Sequence, residues 1–404
     1  MMDSTIKAQL LNELEHGTVS KVYHHTYQNI VDRVTADGYF EESLTGAYEG
    51  EYCRTIGGLV SLFIETGELA KAQAVVSFIF DSMERNGLIK VPHVLGEVKY
   101  AADGSVKQWV GTDDQVDGRA HVIMAYSRLC LLIDNPAFEN KYYDVAKAEM
   151  TVFLNQPYLY YQPGSNSNWS CTSMGLVFNG SFEHNREFRR WSTFDLLSQS
   201  FVGAAGEAML ELAKRRGDEL FVTFLQQRMG VLTTGIEQHM TREVNGKKVY
   251  LEMRLPNGDW GVPYTGMGWV CYSPIAAQWE ALDREVLDNT IELLREKLYL
   301  SDPLDQSNKI TMLEYDEHHT VNQSVIGKFM GWDLEYSQQS GQYDKILNWF
   351  RFLNNYHTDQ DLMMEQINYT DGQWVKGDCG NGEQCVWWCL AIARLRKELG
   401  LPVA

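Results

Sequence analysis

The sequence predicts an all-α fold: a closed (α/α)6 toroid of six helical hairpins that fills a single domain, residues 1–404. Apolar residues in the long segments recur at three- and four-residue steps, as Ile123, Tyr126 and Cys130 do, which is helical periodicity. These segments come in pairs around a glycine or polar turn, and the turns recur roughly every 60–80 residues, as repeated supersecondary units do.

Five hairpins are visible, and a sixth has to be made from the two ends of the chain. The five pair 54–65 with 69–85, 116–133 with 140–155, 194–215 with 219–239, 274–281 with 284–298, and 319–337 with 343–356. Segments 21–35 and 384–399 supply the sixth, so the ring closes where the ends of the chain meet.

Composition narrows the class of protein. The 404 residues are 44% hydrophobic and 22% charged, which is typical of a globular protein. A net charge of −19 argues against nucleic-acid binding and against a basic membrane surface, and it favours a neutral or cationic ligand. No apolar run is long enough for a transmembrane helix, and no leader is visible. Seven cysteines without a C-x-x-C pair argue against disulfides and structural zinc, so we expect a cytoplasmic protein.

Long connectors rich in glycine and aromatic residues lie between the hairpins, at 38–52, 91–114, 156–190, 252–272, 300–318 and 355–383. Long ordered loops in a compact domain are usually functional, and in a helical ring we expect them to gather at one rim. More than half of the eleven tryptophans lie in or beside these connectors, namely Trp109, Trp169, Trp191, Trp260, Trp269 and Trp374. Tryptophan side chains either fill the core or bind sugars, because the apolar face of a sugar stacks on an indole ring.

The first acidic candidate lies where a connector enters a helix, in the segment 109–121. Adjacent Asp113 and Asp114 raise each other's proton affinity, which suits a general acid. Helix capping by these residues is the alternative interpretation. The spacing through Asp117 also fits a D-D-x-x-D magnesium–diphosphate motif, although no second metal-binding run accompanies it.

The second acidic candidate lies near the C-terminus. Glu365 stands in a connector beside amide side chains, and Glu383 stands at the predicted start of the last helix. Hydrolysis of a glycosidic bond needs one protonated carboxyl and one ionised carboxylate, so these regions form a candidate pair. For Glu383, helix capping is again the alternative.

Three segments resemble glucoamylase-type six-hairpin glycosidases. Residues 114–118 (Asp-Gln-Val-Asp-Gly) resemble the general-acid segment of those enzymes, with Asp114 where they often have glutamate. Residues 365–368 together with 385–389 resemble the C-terminal block that carries the catalytic base of those enzymes. Residues 52–55 resemble their early arginine segment, although Thr55 stands where those enzymes have an aspartate after the arginine. The resemblance implies an (α/α)6 barrel and inverting hydrolysis of a carbohydrate, without identifying the sugar.

The resemblance also implies roles for individual residues. Asp114 is expected to protonate the leaving oxygen and Glu365 to activate water, with the two carboxyls roughly 6.5–9.5 Å apart. The expected sugar-binding residues are Arg54, Asp113, Asp117, Arg119 and Glu383, with Trp109, Trp260, Trp374 and Trp387 as stacking surfaces. We expect no cofactor and no metal, and the sequence does not determine the oligomeric state.

Three other functions remain open on the same toroid. Sugar epimerases use paired histidines, and 318–319, 24–25 and His121 are candidates. Unsaturated glucuronyl hydrolases use an aspartate, here Asp114 or Asp117, with a cationic pocket for which Arg54, Arg119, Arg189 and Arg190 are available. A toroid that binds a carbohydrate or a protein partner without catalysis is the third.

Overall fold

The computed structural model describes most of the chain. The described residues are 2–44, 48–89, 99–108, 117–159, 174–184, 189–254, 261–262, 268–297, 299–302, 304–311, 323–357, 361–370, 373–376 and 380–404.

Thirteen α-helices lie within these ranges. They are α1 (Ser4–His16), α2 (Thr18–Arg33), α3 (Cys53–Thr66), α4 (Leu69–Arg85), α5 (Gly118–Leu132), α6 (Pro136–Leu159), α7 (Leu196–Arg216), α8 (Glu219–His239), α9 (Ser273–Ala276), α10 (Arg284–Lys297), α11 (Gly327–Gln339), α12 (Tyr343–Tyr356) and α13 (Gly382–Glu398). A 310 helix (Gly268–Tyr272) directly precedes α9.

Six helical units form a closed inner ring. Helix α3 packs on α5, α5 on α7, α7 on α9, α9 on α11, α11 on α13, and α13 returns to α3. An outer layer consists of α2, α4, α6, α8, α10 and α12, in which α2 packs on α13 as the predicted sixth pair. The predicted (α/α)6 toroid is therefore confirmed.

Helix α1 is an addition that the sequence analysis did not predict. It packs on α2 and α12, outside the ring, and buries only Leu10 and Leu14 completely. Asp3 caps it by accepting from the main-chain N–H groups of Thr5 and Ile6. With so narrow an apolar stripe, its helical periodicity is weak in the sequence.

The fourth inner unit is much shorter than predicted. The predicted helix 274–281 is the four-residue α9, with Pro274 in its first turn, followed by Gln278 at a φ of 50°. A non-glycine residue in this left-handed region ends the helix. The 310 helix before it completes the inner wall, and Trp269 and Tyr272 are buried there.

Short antiparallel strands occupy parts of the connectors. They are β1 (Glu51–Tyr52), β2 (Lys99–Tyr100), β3 (Val106–Gln108), β4 (Asn179–His184), β5 (Arg189–Asp195), β6 (Thr241–Val244), β7 (Lys247–Tyr250), β8 (Met253–Arg254), β9 (Gly261–Val262), β10 (Tyr299–Asp302), β11 (Asp305–Thr311), β12 (Gln323–Ile326), β13 (Gln366–Thr370) and β14 (Gln373–Lys376). Their sheet orders are β1-β2-β3, β4-β5-β8-β9, β6-β7, β10-β11 and β12-β13-β14. The predicted helix 319–337 is wrong in part, because 323–326 form β12 and α11 begins only at Gly327.

The inner helices pack closely around aromatic side chains. Trp332 and Trp387 lie edge to face with their ring centres 5.6 Å apart, and Trp388 is fully buried beside them. Gly331 makes the approach of α11 to α13 possible, because a Cβ there would lie 2.6 Å from the carbonyl oxygen of Trp387. Much of the high aromatic content therefore fills the core, as one of the two interpretations predicts.

Two further findings concern the described residues alone. No helix among them is long and apolar enough to cross a bilayer. Cys53, Cys130, Cys271, Cys385 and Cys389 are buried, while Cys171 and Cys379 lie outside the described ranges.

Candidate active site

The first turns of the inner helices lie at one end of the ring. Each inner helix is followed by an antiparallel outer helix, so successive inner helices run in the same direction. Arg54 and Thr55 begin α3, Asp117 precedes α5, Lys328 begins α11 and Glu383 begins α13. Residues far apart in the sequence are thereby gathered at one mouth.

Glu365 is held at this mouth by sheet pairing. Strand β13 begins just after it and pairs with β12, with Gln366 opposite Ile326 at the entrance to α11. The main-chain N–H of Gly327 donates to the carbonyl oxygen of Glu365 at 3.0 Å. This pairing fixes the main chain of Glu365 against the inner ring.

Tyr48 orients the carboxylate of Glu365. Its hydroxyl donates to Glu365 Oε1 at 2.7 Å, across 317 residues of sequence. Burial and the neighbouring Glu365 carboxylate raise the pKa of Tyr48, so the phenol keeps its proton and remains a donor. A hydrogen bond of this kind to an ionised group is stronger than one between neutral groups.

Glu383 is paired with a buried lysine. Lys328 Nζ lies 3.0 Å from Glu383 Oε1, and the same ammonium lies 3.9 Å from the centre of the Trp269 ring. Asn381 caps α13, accepting from the N–H of Gln384, so the side chain of Glu383 is not needed as a cap. It is 13% exposed. Glu383 therefore presents a firmly held carboxylate at the mouth.

Arg54, Asp117 and His121 form a second charged group. Arg54 binds Asp117 through two bonds, Nη2 to Oδ1 at 2.7 Å and Nε to Oδ2 at 3.1 Å, and His121 Nε2 lies 2.9 Å from Oδ2. Burial opposes ionisation of Asp117, but Arg54 and His121 outweigh it and hold its pKa well below its usual value. Burial lowers the pKa of His121 despite Asp117, so the imidazole is neutral at pH 7.

The G57A substitution tests how tightly this group is packed. A Cβ at Gly57 would lie 2.2 Å from His121 Nδ1, so the ring has to move and pull on Asp117. We expect G57A to lose roughly 1–3 kcal/mol in the free energy of unfolding, measured by denaturant titration. Gly230 in α8 has nothing within 4 Å of such a Cβ, and G230A should be neutral or stabilising. Equal behaviour of the two variants would contradict the packing argument.

Two of the predicted sugar-binding residues lie inside the scaffold. Arg119 donates to Glu149 Oε2 at 2.7 Å and to the carbonyl oxygen of Leu88 at 2.8 Å, with its side chain 3% exposed. Trp387 is 1% exposed and packs on His121 and Trp332. Both side chains pack within the ring in this structure, and their sugar-binding roles stay predictions.

Other predicted site residues fall outside the described part of the chain. These are Trp109, Asp113, Asp114 and Trp260, while Trp374 lies in β14 opposite Tyr369. The Asp114–Glu365 separation therefore stays a prediction, as do the stacking roles of these tryptophans. In the sequence, Asp114 stands three residues before Asp117, at the entrance to α5.

Glu42, Tyr48 and Lys328 also lie at this mouth, and no motif in the sequence marks them. The connector 38–52 was expected to build the cleft, and it supplies the first two. The acidic pair 41–42 and the aromatic residues around it were the available signal, but no local pattern shows that Tyr48 meets Glu365. Among the described residues, no group of three or more histidine, cysteine or acidic side chains could hold a metal ion.

Solved structures that share this architecture include glycosidases. They include a metal-independent alpha-mannosidase from Streptococcus pneumoniae (11% identity, TM-score 0.68, 98% of this chain and 99% of the other) and the glucoamylase from Saccharomycopsis fibuligera (12%, 0.60, 96% of each). A glycosidase solved in complex with glucose aligns over the full length of both chains (12%, 0.67). No protein-family model and no curated protein matches the sequence.

These likenesses establish the fold. The chain has the six-hairpin (α/α)6 architecture of glucoamylase and the metal-independent alpha-mannosidase, along nearly its whole length. At 11–12% identity the activity does not follow from the fold, since one fold hosts many chemistries.

Proposed function

We propose that this protein is a glycoside hydrolase that acts with inversion, with Asp114 as general acid and Glu365 as general base. The observation that carries the proposal is the carboxylate of Glu365, held by Tyr48 at the mouth of a ring whose solved relatives in fold are glycosidases. Glu383 and the Arg54–Asp117 pair lie at the same mouth.

In the proposed mechanism Glu365 removes a proton from water as that water attacks the anomeric carbon. Asp114 gives its proton to the departing oxygen on the opposite face of the sugar ring. The Tyr48 hydroxyl keeps the Glu365 carboxylate in one rotamer, so its basic oxygen does not have to be reoriented at each turnover.

Sugar recognition is proposed for the remaining charged groups at the mouth. Arg54 and Asp117 neutralise each other, and Lys328 pairs with Glu383. Arg54 and Glu383, which are 11% and 13% exposed, offer a donor and an acceptor to sugar hydroxyls. Asp117 and Lys328 are 1% and 4% exposed and neutralise these two groups from the buried side, which suits a neutral sugar. Asp113, Trp109, Trp260 and Trp374 remain proposed contacts to the sugar.

The experiment that tests the proposal is a substrate panel with the product anomer followed by NMR. The solved structures suggest alpha-mannosides, including alpha-1,6-mannobiose, and glucosides as the first members. We expect hydrolysis of at least one, with the first-formed anomer opposite to that of the substrate, and its loss in D114N. A retained anomer would overturn inversion.

Other outcomes would replace the proposal by one of its rivals. An isomerised reducing sugar without hydrolysis would establish an epimerase. Loss of ultraviolet absorbance from an unsaturated uronide would establish double-bond hydration. Sugar binding without any product, unchanged in D114N, would establish a non-catalytic toroid.

A further inference from the structure

A buried carboxyl group lies behind the mouth and connects its parts. Glu42 is 3% exposed. Its Oε1 accepts from the main-chain N–H of Glu383 at 2.9 Å, and its Oε2 lies 2.6 Å from the hydroxyl of Thr55. The side chain thus bridges the first turn of α13 and the first turn of α3, which are neighbours in the inner ring.

The main chain of Glu42 makes two further connections. Its N–H donates to the carbonyl oxygen of Gly50 at 2.9 Å, closing the segment that carries Tyr48. Its own carbonyl oxygen accepts from Gly382 at 2.7 Å. Gly382 permits this approach, because a Cβ there would lie 2.9 Å from that oxygen.

We propose that Glu42 is a positioning residue, which ties α13 to α3 and so holds Glu383 and the Tyr48 segment in place at the mouth. The inference rests on the proposed function for its catalytic consequence. Glu42 itself is too deeply buried to touch a sugar, and it acts through the residues it holds.

The protonation state of Glu42 matters for this role. Burial raises its pKa to about 8, against the lowering effect of the bonds from Thr55 and from the N–H of Glu383; the carboxylates of Glu383 and Glu365 raise it further. Its other charged or titratable neighbours are Tyr48, Glu51 and Lys99.

A neutral carboxyl can make both bonds of the bridge. In the neutral form the carbonyl oxygen accepts from the N–H of Glu383. The Thr55 hydroxyl, which donates to Oε2 when the carboxyl is ionised, can rotate to accept from the protonated Oε2. Loss of the proton above about pH 8 puts a third negative charge beside Glu383 and Glu365. This charge repels the carboxylates of Glu383 and Glu365 and disturbs their positions at the mouth, so activity should fall on the alkaline side.

The folded protein also holds a proton that the unfolded chain has released. Between the usual pKa of a glutamate and about 8, folded Glu42 binds more protons than unfolded Glu42, so rising pH weakens the fold across this window. In E42Q this slope should be smaller.

The test compares E42Q with E42A and T55V in steady-state kinetics across pH. Glutamine copies the neutral form, accepting from Glu383 N–H and donating to Thr55. We expect E42Q to keep kcat within about 3-fold at pH 7 and to lose the alkaline decline near pH 8. E42A, which leaves the N–H of Glu383 unsatisfied, should lower kcat by about 10-fold or more, and T55V by less.

E335Q is the matched control. Glu335 is also a buried carboxyl group, and burial raises its pKa. It lies in α11 about two turns after Lys328, and it pairs with Arg394. The alkaline decline should persist in E335Q. If E42Q is as impaired as E42A, or if E42A keeps full activity, the positioning role is overturned.

An infrared titration separates this inference from the proposed function. Burial also raises the pKa of Glu51, so the readout is the component of the protonated-carboxyl absorption that disappears with a midpoint near pH 8. This component should be absent in E42Q and present in the wild type, T55V and E51Q. If no glycoside is hydrolysed, this band still decides whether Glu42 is the neutral bridge. Its presence unchanged in E42Q would refute the assignment.

Discussion

Glutamine in place of Glu365 should lower kcat by about 10²–10⁴-fold, which is the usual contribution of a general base. The substitution keeps the size of the side chain and an oxygen that can accept from Tyr48, and the main-chain bond from Gly327 is untouched. The folded structure should therefore persist, and KM should change little. Steady-state kinetics on a substrate from the panel, with a thermal unfolding curve, measure both.

Two further variants sharpen this result. Y48F removes one hydrogen bond to the carboxylate and should cost about 10–100-fold, less than E365Q. E292Q alters a carboxylate that pairs with Lys247 on the surface, where Glu292 is 58% exposed, and should be indistinguishable from the wild type. Activity of E365Q equal to that of E292Q would remove Glu365 from the mechanism.

Methionine in place of Arg119 should cost about 3–5 kcal/mol in the free energy of unfolding. Arg119 joins α5 to Glu149 in α6 and to the carbonyl oxygen of Leu88, just after α4. Its removal leaves the carboxylate of Glu149 buried without the guanidinium. Denaturant unfolding measures the loss, and the kinetic constants of the folded fraction should stay near those of the wild type.

A double substitution tests whether the buried charge of Glu149 causes the loss of stability in R119M. In R119M/E149L both charges are gone, and most of the lost stability should return, since an apolar pair can replace a buried ion pair. K247M breaks the exposed Lys247–Glu292 pair and should cost less than about 1 kcal/mol. If R119M instead keeps its stability and raises KM, Arg119 contacts the sugar as the sequence first suggested.

The ring of helices could be predicted from the sequence because helices and turns are set by residues that are close together in the chain. The three- and four-residue periodicity of 54–65 or 219–239 reports a helix from neighbouring residues alone, and glycine turns such as Gly217 mark where each hairpin reverses. The repeat of these hairpins was enough to predict closure, which the packing of α13 on α3 confirms.

Elements with weak local patterns were missed. Helix α1 has a narrow apolar stripe, and two-residue strands such as β1 are too short to alternate. The seven residues of β11, Asp-Gln-Ser-Asn-Lys-Ile-Thr, do not alternate between apolar and polar. Strand β12 replaced the start of a predicted helix because 323–326 pair with β13, a partner at least 40 residues away. Strand pairing of this kind depends on tertiary contacts and overrides the helical preference of the local sequence.

Only the tertiary structure decided what the charged residues do. The sequence singled out Glu365, Glu383, Arg54 and Arg119 alike as acids or cations near the cleft. In the folded ring Arg119 is buried against Glu149, and Glu383 pairs with Lys328. The hydroxyl of Tyr48 donates to Glu365. Hydrogen bonds and ion pairs act over about 3 Å in space, whatever the distance along the chain, so their partners exist only once the helices have closed.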